Sequence, residues 1–250
     1  MSEVFRFVGR VVPDHKPLTI AYSPKFNRKP SVEHEPECIF EVSISEGKFQ
    51  VAIEIERYTD QNAMALFQAG WDAAQRLADT AGFIDAVPYN TIVDSIEKPD
   101  GSIQQLALGD IHLRNLGSFT HKDIETIADL LIGDLAFGQA MSDLLSMLIK
   151  THYAPISYGR VTESIARLVA PSEKPSVMWS KTRSELRVSE EYLRKLTEVS
   201  TDPRHGKRTP VSAAANRELS EMSWRLMNRY VHYRIRGTDL PEEDYPELAV

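Results

Sequence analysis

Residues 202–208 read Asp-Pro-Arg-His-Gly-Lys-Arg, and they gather Arg204, His205, Lys207 and Arg208 within five positions. An imidazole titrates near neutrality and can act as general acid or base, and a guanidinium grips phosphate through paired N–H donors. The helical segment that follows, 212–236, adds Arg225, Arg229, His232 and Arg236. At 100° per residue these four fall within about 60° of one another, while Leu219, Met222, Leu226, Tyr230 and Tyr233 occupy the adjacent face. One side of this helix suits a core and its neighbour suits an anion. The plainer alternative is that these cations solvate an exposed face and pair with Glu218, Glu221 or the acids near the C-terminus, as surface charges commonly do.

Charge is spread unevenly. The chain is acidic overall, at −7. Residues 1–150 hold 13 Lys and Arg against 22 Asp and Glu, whereas 151–236 is net basic. Five acids, Asp239, Glu242, Glu243, Asp244 and Glu247, then crowd into the last twelve positions. Whatever anion-binding capacity the protein has belongs in its C-terminal half.

Other chemistries find less support. No phosphate-binding Gly-x-x-x-x-Gly-Lys-Ser/Thr, dinucleotide Gly-x-Gly-x-x-Gly or Gly-x-Ser-x-Gly elbow occurs. His34 and Cys38 stand four apart among Glu33, Glu35 and Glu37, but a structural metal site needs four ligands and no second pair completes it. His121 and Glu125 are better explained as polar residues at a helix start. Glu54 and Glu56 share one face of a strand, which reads as a solvated sheet face. Trp71, Trp179 and Trp224 sit at helical positions suited to packing. No metal or cofactor is expected. Cys38 is the lone cysteine, so no internal disulfide is possible, and residues 1–10 lack the apolar run of a secretory signal. The expected location is the cytoplasm. Residues 124–149 are apolar but interrupted by Asp129, Asp134, Gln139 and Asp143, too polar to span a bilayer. That stretch reads as a buried helical core, and no membrane association is expected.

The elements that must position these groups follow from periodicity. Residues 39–44 and 49–55 alternate apolar with polar around Glu46-Gly47-Lys48, a β-hairpin pattern. Residues 5–8 and 18–22 are further short β-prone runs. From 60 to 82 the period becomes helical, with Thr59 or Asp60 as N-cap and Gly82 as the stop. Residues 90–95 and 102–108 flank Lys98-Pro99-Asp100-Gly101, a second hairpin. Helical segments follow at 121–150, broken near Gly133 or Gly138, and at 157–169, 180–199 and 212–236. Their short connections favour an antiparallel arrangement. The fold class is α+β: a small N-terminal sheet with one helix (1–119), a C-terminal antiparallel helical bundle (120–236) and an acidic tail (237–250), lying on the bundle or free in solvent.

A helical bundle whose penultimate connection presents His205-Gly206 ahead of a long last helix resembles the HEPN domains, found in ribonucleases, toxins, defence systems and nucleotide-binding accessory proteins. The resemblance covers about residues 120–236. It implies RNA or nucleotide partners and, in active members, metal-independent RNA cleavage by an Arg and a His, often across a dimer. The family's Arg-Asn pair would fall five and four residues before His205, where this chain has Ser200 and Thr201. Arg204 adjoins the histidine instead, and a second pair, Arg225 and His232, lies within one continuous helix.

The expected function is therefore non-catalytic: binding of RNA or another phosphate-bearing partner through Arg204, His205, Lys207, Arg208, Arg225, Arg229, His232 and Arg236. Two alternatives stand beside it. One is a protein-interaction or structural module, with a homo-oligomer possible. The other is a ribonuclease with His205 and Arg204 as catalytic groups.

Overall fold

The computed structural model describes residues 2–28, 37–105, 111–149, 153–171, 174–207 and 211–250. The chain divides into two compact units, Met1–Gly109 with Pro210–Ala214, and Asp110–Thr209 with Ala215–Val250. The class is α+β: an antiparallel sheet with one helix, then a helical region.

In the first unit, β1 (Glu3–Val12), β2 (Lys25–Arg28), β3 (Cys38–Ser45), β4 (Lys48–Ile55), β5 (Asn90–Glu97) and β6 (Ile103–Gln105) form one sheet in the order β2-β3-β4-β1-β5-β6. The β3–β4 hairpin closes through Glu46 and Gly47, both at positive φ, the two-residue turn whose twist matches paired strands. The alternation then sends Phe40, Val42, Ile44, Val51, Ile53 and Ile55 to one buried face. Helix α1 (Asp60–Asp85) covers that face with Leu66, Ala69, Ala74 and Ala78. It starts at Thr59, whose hydroxyl accepts from the Asn62 amide while the Asn62 side chain accepts from the Thr59 amide, a reciprocal cap. It runs past Gly82 to a left-handed cap at Ala86. Buried Gln75 ties α1 to β5: its carbonyl accepts from Thr91 N at 2.8 Å and its amide donates to Tyr89 O at 2.9 Å. Residues 18–22 contribute one bridge, Ile20 to Ile44, rather than a strand.

The second unit holds α2 (Ile111–Leu116), a 3-10 turn (His121–Asp123), α3 (Ile124–Gly133), α4 (Leu135–Ile149), α5 (Ala154–Val169), α6 (Pro175–Leu186), α7 (Glu190–Arg204) and, from Ala215 on, α8 (Ala213–Arg236). Helix α5 is its centre, packing on α4, α6 and α7 with Tyr158, Val161, Thr162, Ile165 and Ala166 fully buried. The Tyr158 hydroxyl donates to Asn216 O at 3.0 Å, fastening α8 as well; burial pushes its pKa up to about 12. Where α5 meets α7, the residue on α5 is Gly159. A Cβ there would lie 2.0 Å from Ser200 Oγ and 2.4 Å from Ser200 Cβ.

Three expectations change. The segment 180–199 is two helices, because Arg187 turns left-handed and Ser189 caps a fresh start, accepting from the Tyr192 amide at 3.2 Å. Neither a glycine nor a proline marks that break. The helical unit begins at Asp110, ahead of residue 120, since α2 buries Leu113 and sets His112 2.8 Å from Glu221. The stretch 124–149 is only half core. Helix α4 buries Phe137, Ala140, Leu144 and Met147, whereas no residue of α3 is buried. Apolar composition reports what a segment would gain from a partner, not whether the fold supplies one.

Gly159→Ala is expected to lower the unfolding free energy by about 1–3 kcal/mol, the usual range for overpacking, in urea denaturation. Ser200→Ala should not rescue it, because the obstructing Cβ remains. An unchanged midpoint would mean that α5 and α7 do not approach this closely.

Candidate functional site

The segment 202–208 is less of a loop than its sequence suggests. Asp202, Pro203 and Arg204 form the last turn of α7, and His205 is its cap residue. The amides of His205 and Lys207 both donate to Asp202 O at 3.0 Å, and Gly206 takes a positive φ of 78°, which closes the helix compactly. Arg204 Nη1 donates to both carboxylate oxygens of Glu163 on α5, at 2.8 and 2.7 Å, and Nε to Ser200 O at 3.3 Å. Lys207 Nζ lies 3.5 Å from Asp202. His205 is exposed. Arg208 lies outside the described residues, as does His34 of the His34–Cys38 pair.

The four basic positions on α8 do not form one exposed stripe. Arg225 and Arg236 are exposed, and among the described residues neither pairs with an acid. Arg229 is only 9% exposed. Its Nη2 donates to Pro246 O at 2.6 Å, its guanidinium lies 5.2 Å from the centre of the Tyr245 ring, and its buried Nη1 has no hydrogen-bond partner among the described residues. Burial, aided by the charge of Arg187, lowers its pKa. His232 is half-buried between Phe119 and Tyr245, with ring centres 4.5 and 5.3 Å away, and Ser118 Oγ meets its Nε2. Burial, with Arg229 and Arg236 nearby, holds its pKa below the usual histidine range.

The cause is the C-terminal segment, which lies on the helices. Leu248 pairs with the α6–α7 junction, its amide donating to Arg187 O at 2.9 Å and its carbonyl accepting from Ser189 N at 2.9 Å. Leu240 is buried, and Glu242 lies 3.2 Å from Arg187. Between this segment and α8 is a cavity of about 480 Å³, lined by Tyr192, Met222, Arg225, Arg229 and residues 246–249. Glu218 and Glu221 also line it, held by Lys195 at 2.5 Å and by His112 and Arg217 at 2.8 and 3.4 Å. The Tyr192 hydroxyl donates to Met222 O at 2.8 Å, and burial raises its pKa.

Sequence reasoning passed over Arg234, one turn from Tyr230. Its Nη1 donates to Asp134 at 2.7 Å and to the Tyr230 hydroxyl at 2.7 Å, joining α8 to the start of α4. Its position beside the core stripe was the available signal. In the first unit, a cavity of about 530 Å³ adjoins Glu3, Arg6, Tyr58 and Glu97. Three of its charged groups are engaged within the unit: Arg6 meets Glu97 at 3.2 Å and Glu3 accepts from the Tyr58 amide. Among the described residues no three His, Cys, Asp or Glu side chains converge as a metal site, and no helix is long and apolar enough to cross a membrane.

Arg229→Ala is expected to cost about 1.5–3 kcal/mol, the range for a hydrogen bond from a charged group, and to expose the C-terminal segment to limited proteolysis. Arg225→Ala should stay within about 0.5 kcal/mol of the parent. Equal effects of the two would show that Arg229 does not hold the segment.

Two family models match this chain in order. Residues 5–107 match the Domain of unknown function (DUF8168) N-terminal domain, and 124–235 match the Domain of unknown function (DUF8168) C-terminal domain. The gap between the matches brackets the start of the helical unit. No curated protein and no solved structure matches the chain. With both of its domains matched in order over most of its length, the chain belongs to the DUF8168 family.

Proposed function

We propose that this protein acts by binding rather than catalysis, and that its helical unit docks a protein partner through α3 and the start of α4. The observation that carries the reading is the exposure of Ile124, Ile132 and Leu135, at 56%, 85% and 88%. Burying one such side chain is worth about 1.5–3 kcal/mol, and exposed apolar clusters of this kind mark interaction surfaces. Catalysis has less behind it. Arg204 is committed to Glu163, and the positions where a HEPN-like ribonuclease keeps Arg and Asn hold Ser200 and Thr201. A HEPN-like bundle without nuclease chemistry fits a binding role. The buried, single Cys38 suits a reducing compartment such as the cytoplasm.

The test is the double variant Ile132→Glu/Leu135→Glu. Its unfolding free energy should stay within about 0.5 kcal/mol of the parent, as for surface substitutions, while its binding of an apolar fluorescent dye falls. A variant that loses its fold would show α3 to be core, and the reading would fail.

A second reading, a phosphate-bearing partner such as RNA or a nucleotide, is favoured by the exposed Arg225, which pairs with no acid among the described residues and lines the same cavity as Arg229. The next exposed cation of the stripe, Arg236, is eleven residues on, about 16 Å along a helix. That spacing suits one anionic group better than a continuous nucleic-acid backbone. Titration with a nucleotide and a short single-stranded RNA should then give a shallow salt slope, about 0.7 per RNA phosphate neutralised, and Arg225→Ala should abolish binding. RNA should stay intact without divalent metal, with or without His205→Ala. A steep slope indifferent to Arg225, or cleavage lost in His205→Ala, would sink this reading.

A further inference from the structure

Helix α3 carries a regularity beyond its exposure. Ile124, Ala128 and Ile132 stand four residues apart and form one ridge. The ridge is symmetrical about Ala128, high at both ends and low in the middle. Helices pack through such i±4 ridges at about −50°, and a two-fold contact requires one patch to be complementary to itself. A two-fold axis at Ala128 sets Ile124 against the partner's Ile132 on both sides, and the alanine methyl lets the backbones approach.

Charge favours the same arrangement. The exposed His121 and Lys122 precede α3, and α3 has no basic residue in its own last turn. An antiparallel pairing brings each basic turn toward the C-terminal carbonyls of the other helix, where cations are favourable. The area is also of the right order. A large aliphatic side chain hides on the order of 60–120 Å². Ile124, Ile132 and Leu135 from two copies thus supply about 400–700 Å² of apolar surface. A small specific interface buries about 1,000 Å², a little over half of it apolar.

We infer that α3 pairs with α3 of a second copy of this chain about a two-fold axis at Ala128, forming a weak, reversible dimer. The inference rests on α3 being a docking helix and names its occupant.

Sedimentation equilibrium of the full chain from about 1 to about 200 μM, the range of weak association, should show a monomer–dimer equilibrium weakened at least about tenfold by Ile132→Asp. Ala128→Cys in a Cys38→Ala background should cross-link on mild oxidation, since a disulfide needs Cα atoms within about 7 Å. Thr126→Cys, on the opposite face of the helix, should not. A chain monomeric throughout, a dimer indifferent to Ile132→Asp, or equal cross-linking at 126 and 128 would each overturn the inference. If the chain is monomeric while the Ile132→Glu/Leu135→Glu variant keeps its fold and loses dye binding, the second copy is wrong and the docking reading stands. If that variant unfolds, both fall.

Discussion

The helical unit depends on α5 being buried and on α7 lying against it at Gly159. Polar fastenings tie α5 to this neighbour and to α4 and α8. Ser157 meets Ser146 of α4 at 3.1 Å, Arg160 pairs with Asp143 at 3.1 Å, Glu163 takes Arg204, and Tyr158 reaches the backbone of α8. The same contact bears on chemistry. Ser200, five residues before His205, is wholly buried against Gly159, so the position a HEPN-like nuclease gives to arginine is here a packing position. A longer side chain there would have to displace α5 from α7.

The basic character of the C-terminal half is largely consumed within the fold. Arg204 serves Glu163, Arg234 serves Asp134 and Tyr230, Arg187 meets Glu242, and Arg229 holds the carbonyl of Pro246. A buried guanidinium is costly unless hydrogen-bonded, and the C-terminal segment supplies the acceptor. That segment is therefore part of the helical unit. It divides the four basic positions of the stripe into a covered pair, Arg229 and His232, and an exposed pair, Arg225 and Arg236. The net charge of 151–236 overstated the free positive surface because it counted residues and not their partners.

Apolar residues show the converse. Helices α3 and α4 are comparably apolar in sequence, yet only α4 meets α5 and is buried. What remains on α3 is a surface with much to gain from a partner, which is why the binding reading rests there.

The sequence by itself determined the α+β class, the β3–β4 hairpin and its turn, and the positions of α5 and α8, and it narrowed the cap of α1 to Thr59 or Asp60, since all follow from local periodicity, turn chemistry and capping. It also placed a break in 121–150 close to where Asp134 separates α3 from α4. Tertiary structure alone decided that Gln75 and Arg234 would be inward-facing fastenings, that Arg187 would take a left-handed conformation and end α6, and that the acidic segment would lie on the helices. It alone decided which of Arg204, Arg225, Arg229 and Arg236 stayed free. A helical wheel tells which residues share a face. Whether that face meets water, a carboxylate or another helix depends on segments distant in sequence, and local pattern carries no record of them.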